Sequence, residues 1–255
     1  MRPIFLLLLF SLLVTGASAE SSLRSARQAQ ALLGPGTWSR VVHIENSNTH
    51  GTYPHRLYAL VFEFSGILWF YTETNGTQSF SLWTHRLEAE KADFRPGLLA
   101  IDPGFTRYSI LEDTAPPTSS RGELPNGCLI ESLVAGRDRL TSGGKIRSAR
   151  LVMYYARERQ EGHCVLAYEA TDGIFVLDPT REQTARRIGG HWPRDPVELA
   201  QAAWPSERRS EIKEARTLDF PLSSALPASP SALAALTPGA GEGTFLPRAS
   251  APGHG

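Results

Sequence analysis

The sequence predicts an α+β domain that contains more antiparallel strands than helices. In the first half of the chain, runs of aromatic and β-branched residues alternate with two-residue turn signals, which is typical of β-hairpins. Apolar residues spaced three and four apart follow Cys128, which is typical of an amphipathic helix. Strand-like runs then return around another hairpin signal. We therefore expect an antiparallel sheet packed on a helix that starts at Cys128, with a β-rich extension on its N-terminal side.

The N-terminus has the features of a cleavable signal peptide. Arg2 supplies a positive charge, Ile4 to Val14 form an apolar run, and Ala17-Ser18-Ala19 is a small-x-small cleavage site. An apolar run of this length is too short to span a bilayer, although an uncleaved anchor or a buried first helix is the alternative. We predict cleavage after Ala19 and export to the periplasm or the medium, with no membrane-spanning segment afterwards.

Composition indicates an ordinary globular protein without a nucleic-acid partner. Of 255 residues, 41% are hydrophobic and 20% are charged, and the 26 basic residues balance the 26 acidic ones. Binding to a phosphate backbone requires clustered and uncompensated Lys and Arg, which this balance disfavours. The oligomeric state stays open at this point.

The chain divides into five segments by composition. Residues 1–19 are the signal peptide, residues 20–36 are a flexible leader that could form a short helix or strand, and residues 37–113 are the β-rich part. Residues 114–215 contain Cys128, His163 and Asp178, the residues whose side chains are candidates for a chemical role. Residues 221–255 are rich in Ala, Pro, Ser and Gly and have too few large apolar side chains to offset the entropy of ordering, so we expect a disordered tail.

The β-rich part begins as a predicted meander. Leu57–Phe64 and Ile67–Thr72 flank Ser65-Gly66, and a third run, Gln78–Trp83, follows the turn signal Asn75-Gly76. Residues 98–111 continue the meander or form a short helix and a strand.

Cys128 is notable because of its placement. Leu129, Ile130, Leu133 and Val134 follow it on one helical face, so the thiol lies in the first turn of a buried helix. The positive end of the helix dipole favours the nucleophilic thiolate form of a cysteine at that position.

A hairpin after this helix brings a histidine near a carboxylate. Strand-like runs at residues 163–169 and 173–177 are joined by a Thr171-Asp172-Gly173 turn, and Asp178 ends the second run. Residues near the open ends of paired strands approach each other, so His163 and Asp178 can be neighbours. A carboxylate beside an imidazole fixes its tautomer and supports its action as a base toward a thiol.

These motifs together resemble the core of transglutaminase-like cysteine peptidases, the exported bacterial group of the papain-like superfamily. The resemblance covers Leu124 to Arg181 and depends on four motifs: Gly127-Cys128, Arg150-Leu151-Val152, Gly162-His163-Cys164-Val165-Leu166 and Val176-Leu177-Asp178-Pro179-Thr180. It departs from the pattern at Gly127, where many relatives carry an acidic residue, and at Ser132, where they carry Ala.

The resemblance implies a papain-like fold and a catalytic triad of Cys128, His163 and Asp178. In this triad Cys128 is the nucleophile, His163 is the general base and acid, and Asp178 orients the imidazole. The implied reaction is acyl transfer through a thioester, on a peptide, protein or cell-wall amide, to water or an amine. The backbone N–H of Cys128 is one expected oxyanion donor, with Asn126 and Tyr155 as candidate side-chain donors.

Two alternatives remain open from the sequence. Two cysteines in an exported protein often form a disulfide, and a Cys128–Cys164 bridge would leave a non-catalytic binding or structural protein. Strand alternation led us to expect that Cys164 points away from Cys128 whenever His163 faces it. A weaker alternative is recognition of surface glycans by the exposed aromatic residues.

No cofactor or metal is expected. His43, His50 and His55 lie close together in the sequence, but their loop-like spacing matches no common metal-binding template.

Overall fold

The computed structural model describes residues 19–48, 51–79, 87–111, 124–141, 146–156, 161–181, 184–204, 209 and 211–220. Within these ranges the chain forms helices and two antiparallel five-stranded sheets, which confirms the α+β class. All described residues belong to one compact unit that ends at Phe220. The first 18 residues of the predicted signal peptide and the predicted tail at 221–255 lie outside the described residues, as do residues 80–83 of the third aromatic run.

The first sheet, sheet A, comes from the N-terminal half of the chain. Its strands are β1 (Ser39–Asn46), β2 (Arg56–Phe64), β3 (Ile67–Thr72), β4 (Gly76–Ser79) and β5 (Phe105–Ile110), arranged in the order β4-β3-β2-β1-β5. The helices α2 (Leu87–Ala92) and α3 (Arg95–Ile101) lie between β4 and β5 in the chain.

The turn between β2 and β3 confirms the first predicted hairpin. Ser65 and Gly66 have φ values of 55° and 73°, which is the pair of positive angles that a tight two-residue hairpin requires. Glycine adopts such angles without steric cost.

The second sheet, sheet B, holds the C-terminal strands. These are β6 (Ser148–Ala156), β7 (Glu161–Ala170), β8 (Gly173–Leu177), β9 (Arg186–Gly189) and β10 (Ile212–Asp219), arranged in the order β10-β6-β7-β8-β9. The β7–β8 hairpin pairs Ala170 with Gly173, which confirms the second predicted hairpin. Helix α4 (Cys128–Thr141) packs against β6 and β7, and α5 (Pro196–Ala203) packs against β6, β8 and β10.

One apolar cluster joins both sheets with two helices. It includes Phe62 of sheet A, Leu166 of sheet B, Ile130 of α4, and Ala26 of helix α1, whose described part covers residues 19–33. The opposite face of sheet A packs on α3 in a second cluster, and the opposite face of sheet B packs on α5 in a third. Helix α4 and its first residue, Cys128, therefore belong to a core that sheet A helps to build.

Residues 19–33 form the short helix that the sequence allowed for the leader at 20–36, and this helix packs into the core. They are helical, and Ala26 and Leu33 are buried. Small residues on the inner face let the helix approach the core closely. Arg137 of α4 donates hydrogen bonds to the carbonyls of Leu32 and Leu33, which satisfies acceptors that a helix end leaves unpaired.

Among the described residues, no helix is both long enough and apolar enough to cross a bilayer.

Candidate active site

Cys128 is the first residue of α4, and a tight turn places it there. The carbonyl of Gly127 accepts the Glu131 N–H at 2.9 Å, so helical bonding begins immediately before the cysteine, and the carbonyl of Leu124 accepts the Gly127 N–H at 3.0 Å. A Cβ atom on Gly127 would lie 2.3 Å from the Cβ of Leu124. The turn therefore requires glycine at 127, which explains why the acidic residue expected from the resemblance is absent.

Two hydrogen bonds connect this turn to sheet A. The Tyr71 hydroxyl donates to the Pro125 carbonyl at 2.8 Å, and the Asn126 amide donates to the Glu73 carbonyl at 3.2 Å. Asn126 has a φ of 53°, the left-handed conformation that Asn tolerates better than most residues. The position of Cys128 therefore depends on Tyr71 of β3 and on Glu73, which follows that strand.

His163 and Asp178 form the hydrogen bond that the hairpin predicts. The Nε2 atom of His163 lies 2.7 Å from Oδ2 of Asp178, and the two side chains are 9% and 8% exposed. Because Nε2 is bound to the carboxylate, Nδ1 is the ring nitrogen left to serve the thiol of Cys128. Low exposure keeps water from competing for this bond.

The Asp178 carboxylate is held in place by Thr180, two residues further along the chain. Its Oδ1 atom accepts the Thr180 hydroxyl at 2.6 Å and the Thr180 N–H at 3.1 Å, while Arg181 lies 3.6 Å from Oδ2. These contacts occupy both carboxylate oxygens and fix the direction in which the carboxylate faces His163.

The electrostatics of the pair favour a charged imidazolium beside a carboxylate. Burial lowers the pKa of His163, but hydrogen bonds to Asp178 and Cys128 and the negative charges of those groups outweigh burial and raise it from 6.5 to about 9. Burial acts to raise the pKa of Asp178, yet the hydrogen bonds from His163 and Thr180 and the imidazolium charge lower it below its ordinary range. The pKa of His163 thus responds to both Asp178 and Cys128, which places the three groups in one electrostatic unit.

Aromatic side chains cover the imidazole on the α5 side. The Trp204 ring centroid lies 6.2 Å from that of His163, and the Tyr154 centroid lies 5.6 Å from it, both edge-on. Trp204 follows α5 directly and is 2% exposed, and the Arg181 guanidinium lies 4.5 Å from its ring centroid. This arrangement shields the His163–Asp178 hydrogen bond from solvent.

Sequence reasoning missed the contributions of Tyr154, Trp204, Thr180 and Arg181. Thr180 could have been found, because a hydroxyl two residues after an Asp commonly bonds to that carboxylate. Trp204 could not, because its contact with His163 depends on how α5 docks on sheet B.

The structure gives the positions of the three groups that were candidates for oxyanion donors. The N–H groups in the first turn of a helix have no intrahelical acceptor, so the N–H of Cys128 can donate to a substrate oxygen. The Asn126 amide is already bound to Glu73, so it is oriented toward sheet A. Tyr155 lies opposite Gly162 on the face of β6 that carries α4, because its neighbour Tyr154 faces α5.

Cys164 does not lie where the sequence led us to expect. Both cysteines are free thiols, so the alternative of a preformed bridge is not what the structure has. Strand alternation holds, since His163 contacts the aromatic residues on the α5 side. However, Cys164 belongs to the apolar cluster against which Cys128 packs, so it points toward the α4 face and not away from the nucleophile. His163 reaches the thiol from a position two residues after the start of β7, near the end of the sheet.

Two of the three neighbouring histidines of the sequence, His43 and His55, are described, and each has a partner of its own. His43 lies on β1 with its ring 5.0 Å from that of Tyr58, and the Nδ1 atom of His55 lies 2.9 Å from the Asn46 carbonyl oxygen. His50 lies outside the described residues. No group of three potential metal ligands occurs in the part of the chain that the structure describes.

A surface cavity of about 430 Å³ lies at one end of sheet A, and neither Cys128, His163 nor Asp178 lines it. It is lined by Glu45, Asn46, Ser47, His55, Arg56, Thr106 and Arg107. Its Glu45 and Arg107 side chains pair with each other at 3.9 Å.

Comparison of the chain with protein-family models, with curated proteins and with solved structures found no match.

Proposed function

We propose that the chain is an exported thiol-dependent amide hydrolase or acyltransferase with a transglutaminase-like core of the papain-like type. The observation that carries the proposal is the 2.7 Å hydrogen bond from His163 Nε2 to Asp178, which leaves Nδ1 to the thiol at the start of α4. The order of elements supports it as well: the cysteine helix is followed by antiparallel strands that carry the histidine and the aspartate.

In the proposed reaction, Nδ1 of His163 takes the proton of Cys128 and the thiolate attacks the amide carbonyl carbon of the substrate. The N–H of Cys128 stabilises the resulting oxyanion, and the imidazolium then donates its proton to the leaving amine. A thioester forms on Cys128 and is resolved by water or by an amine. Asp178 keeps the imidazole oriented and stabilises its charge throughout.

The proposed substrate is an amide of a peptide, a protein or the cell wall, and we propose that the protein acts on it outside the cytoplasm. The signal peptide motivates that location, and mass spectrometry of the exported protein tests it. A mature chain that starts at Glu20 agrees with the proposal, whereas an intact N-terminus in the exported fraction contradicts it.

Alkylation tests the Cys128–His163 pair without knowledge of the substrate. At pH 6, we expect iodoacetamide to label Cys128 roughly tenfold faster in the wild type than in His163→Ala, because the imidazole is the group that takes the thiol proton. His191→Ala is the matched control, since His191 is exposed and outside the site. Equal rates in all three proteins would refute the pair.

An activated ester tests acyl transfer itself. With p-nitrophenyl acetate, we expect a burst of p-nitrophenolate and a gain of about 42 Da on Cys128, as acyl-enzyme chemistry requires. Cys128→Ala should show neither signal. If the wild type shows neither signal as well, the non-catalytic binding or structural alternative gains support.

A further inference from the structure

A second thiol lies beside the proposed nucleophile and has no role in the reaction above. Cys164 directly follows His163, is 3% exposed, and lies in the cluster against which Cys128 packs. The Ser132 hydroxyl donates to the Cys164 carbonyl at 3.2 Å. Helix residues four apart lie one above the other, about 6 Å apart, so Ser132 and Cys128 lie on one face of α4. Cys164 therefore lies against the first turn of α4, which begins at Cys128.

The two thiols differ in exposure and in their neighbours. Cys128 is half-buried and contacts the imidazole, whereas Cys164 is enclosed. Burial, followed by the negative charge of Cys128, raises the pKa of Cys164 well above its ordinary range. Cys164 is thus held as a neutral thiol close to the reactive sulfur.

We propose that Cys128 and Cys164 form a reversible redox pair that protects and switches off the nucleophile. The Cys128 thiolate attacks a hydroperoxide, the O–O bond breaks, and the sulfur keeps the hydroxyl group as a sulfenic acid, while the other oxygen takes the proton of the His163 imidazolium and leaves as water or an alcohol. The Cys164 sulfur then attacks the sulfenic sulfur, a disulfide forms, and the hydroxyl leaves as water with the Cys164 proton. The proposal rests on the proposed function only in that Cys128 is the reactive thiol.

The two cysteines lie on elements that pack against each other. A disulfide requires Cα atoms about 4.4–6.8 Å apart, and the sulfurs must approach to about 2 Å. Cys164 lies on β7, the central strand of sheet B, where Met153 of β6 pairs with it, and Cys128 is the first residue of the helix that packs against this strand. A shift of the first turn of α4 toward β7 would form the bond and withdraw the sulfur from His163.

Intact mass spectrometry after treatment with hydrogen peroxide tests the pair. We expect the wild type to lose about 2 Da, to lose iodoacetamide labelling at Cys128, and to recover both on addition of dithiothreitol. Peptide mapping should find a single Cys128–Cys164 link. Cys164→Ala, the variant without the resolving thiol, should instead gain about 32 Da irreversibly as the sulfinic acid.

The opposite outcome overturns the proposal. If the wild type also gains about 32 Da, at the rate of Cys164→Ala, then Cys164 does not capture the sulfenic acid. If Cys164→Ala does not fold, the mass of the peroxide-treated wild type is sufficient to test the proposal. A loss of about 2 Da shows the disulfide, and a gain of about 32 Da shows the sulfinic acid. The p-nitrophenyl acetate burst is a separate readout: a protein that forms the disulfide without any burst retains the redox pair and refutes acyl transfer.

Discussion

Replacing Asp178 with Asn isolates what the carboxylate charge does to the imidazole. The amide oxygen of Asn can still accept the Nε2–H of His163, a bond now 2.7 Å long, but the NH2 group takes the place of Oδ1, so the substitution removes the charge together with the acceptor for Thr180. A carboxylate at such a distance raises the pKa of its partner by about 1–3 pH units. The pKa of His163 is about 9, so in Asp178→Asn we expect it to fall into the range of about 6–8.

The pH dependence of stability follows from the same shift. Because the pKa of His163 is raised on folding, the imidazolium stabilises the folded state fully below pH 6.5, and this stabilisation is lost as the pH rises through about 9. The interval between 6.5 and about 9 corresponds to about 3 kcal/mol at most. The free energy of unfolding of Asp178→Asn should therefore fall much less steeply across this interval than that of the wild type.

Two measurements check the lower pKa of His163 and the flatter pH dependence of stability expected for Asp178→Asn. Nitrogen-15 NMR of the histidine rings, with His163→Ala for assignment, gives the pKa of His163 directly, and urea unfolding from pH 6 to pH 10 gives the stability profile. Asp172→Asn is the matched control, because Asp172 lies exposed in the turn of the same hairpin. If the pKa of His163 in Asp178→Asn stays within about half a pH unit of the wild type, the carboxylate charge is not what raises it.

Two further substitutions test how the site and the core are built. Thr180→Val should lower the free energy of unfolding by about 1.5 kcal/mol, because the Asp178 carboxylate loses its 2.6 Å hydroxyl donor, while Thr180→Ser, which keeps the hydroxyl, should stay close to the wild type in urea titrations. Gly136→Ala should destabilise by about 1–3 kcal/mol, because its Cβ would lie 2.2 Å from the Phe220 ring. Gly36→Ala, where a Cβ would have no neighbour within 4 Å, should be close to neutral in the same titrations, and equal stability of the two alanine variants would contradict the packing argument.

Local patterns in the sequence were sufficient for the parts of the fold that neighbouring residues determine. The β7–β8 hairpin follows from its turn residues, and the start of α4 at Cys128 follows from the apolar spacing after it. The proximity of His163 and Asp178 follows in turn, because pairing in a hairpin fixes which residues lie at its open end. The assignment of catalytic roles to these residues stays a prediction.

Elements defined by distant partners could not be predicted in this way. Four of the eight residues of β10 are charged and exposed and only Ile212 is buried, and the segment is a strand because its backbone pairs with β6. Helix α1 has few large apolar residues, and its order depends on packing within a core that both sheets share. Propensity is a weak guide wherever tertiary contacts decide the outcome.

The error about Cys164 has the same origin. Alternation along β7 correctly placed His163 and Cys164 on opposite faces, but it does not say which face α4 covers. The expectation that Cys164 points away from the nucleophile assumed that Cys128 must share the histidine's face. In the structure the imidazole lies near the end of the sheet, where a helix that begins on the other face can still bring its first side chain to the ring.

Sheet A helps to hold Cys128, the nucleophile of the proposed function. The nucleophile lies at the end of a turn whose residues 125 and 126 bond to Tyr71 and to Glu73, while the side chain of Glu73 accepts the hydroxyl groups of Ser21 and Ser25 from α1. The histidine and the aspartate, in contrast, are fixed within sheet B. The distance between the Cys128 thiol and the His163 imidazole therefore depends on how the two sheets pack together. The segment that resembles a transglutaminase-like core, Leu124 to Arg181, contains the three proposed catalytic residues, but Tyr71 and Glu73, which hold the turn before Cys128, lie outside it.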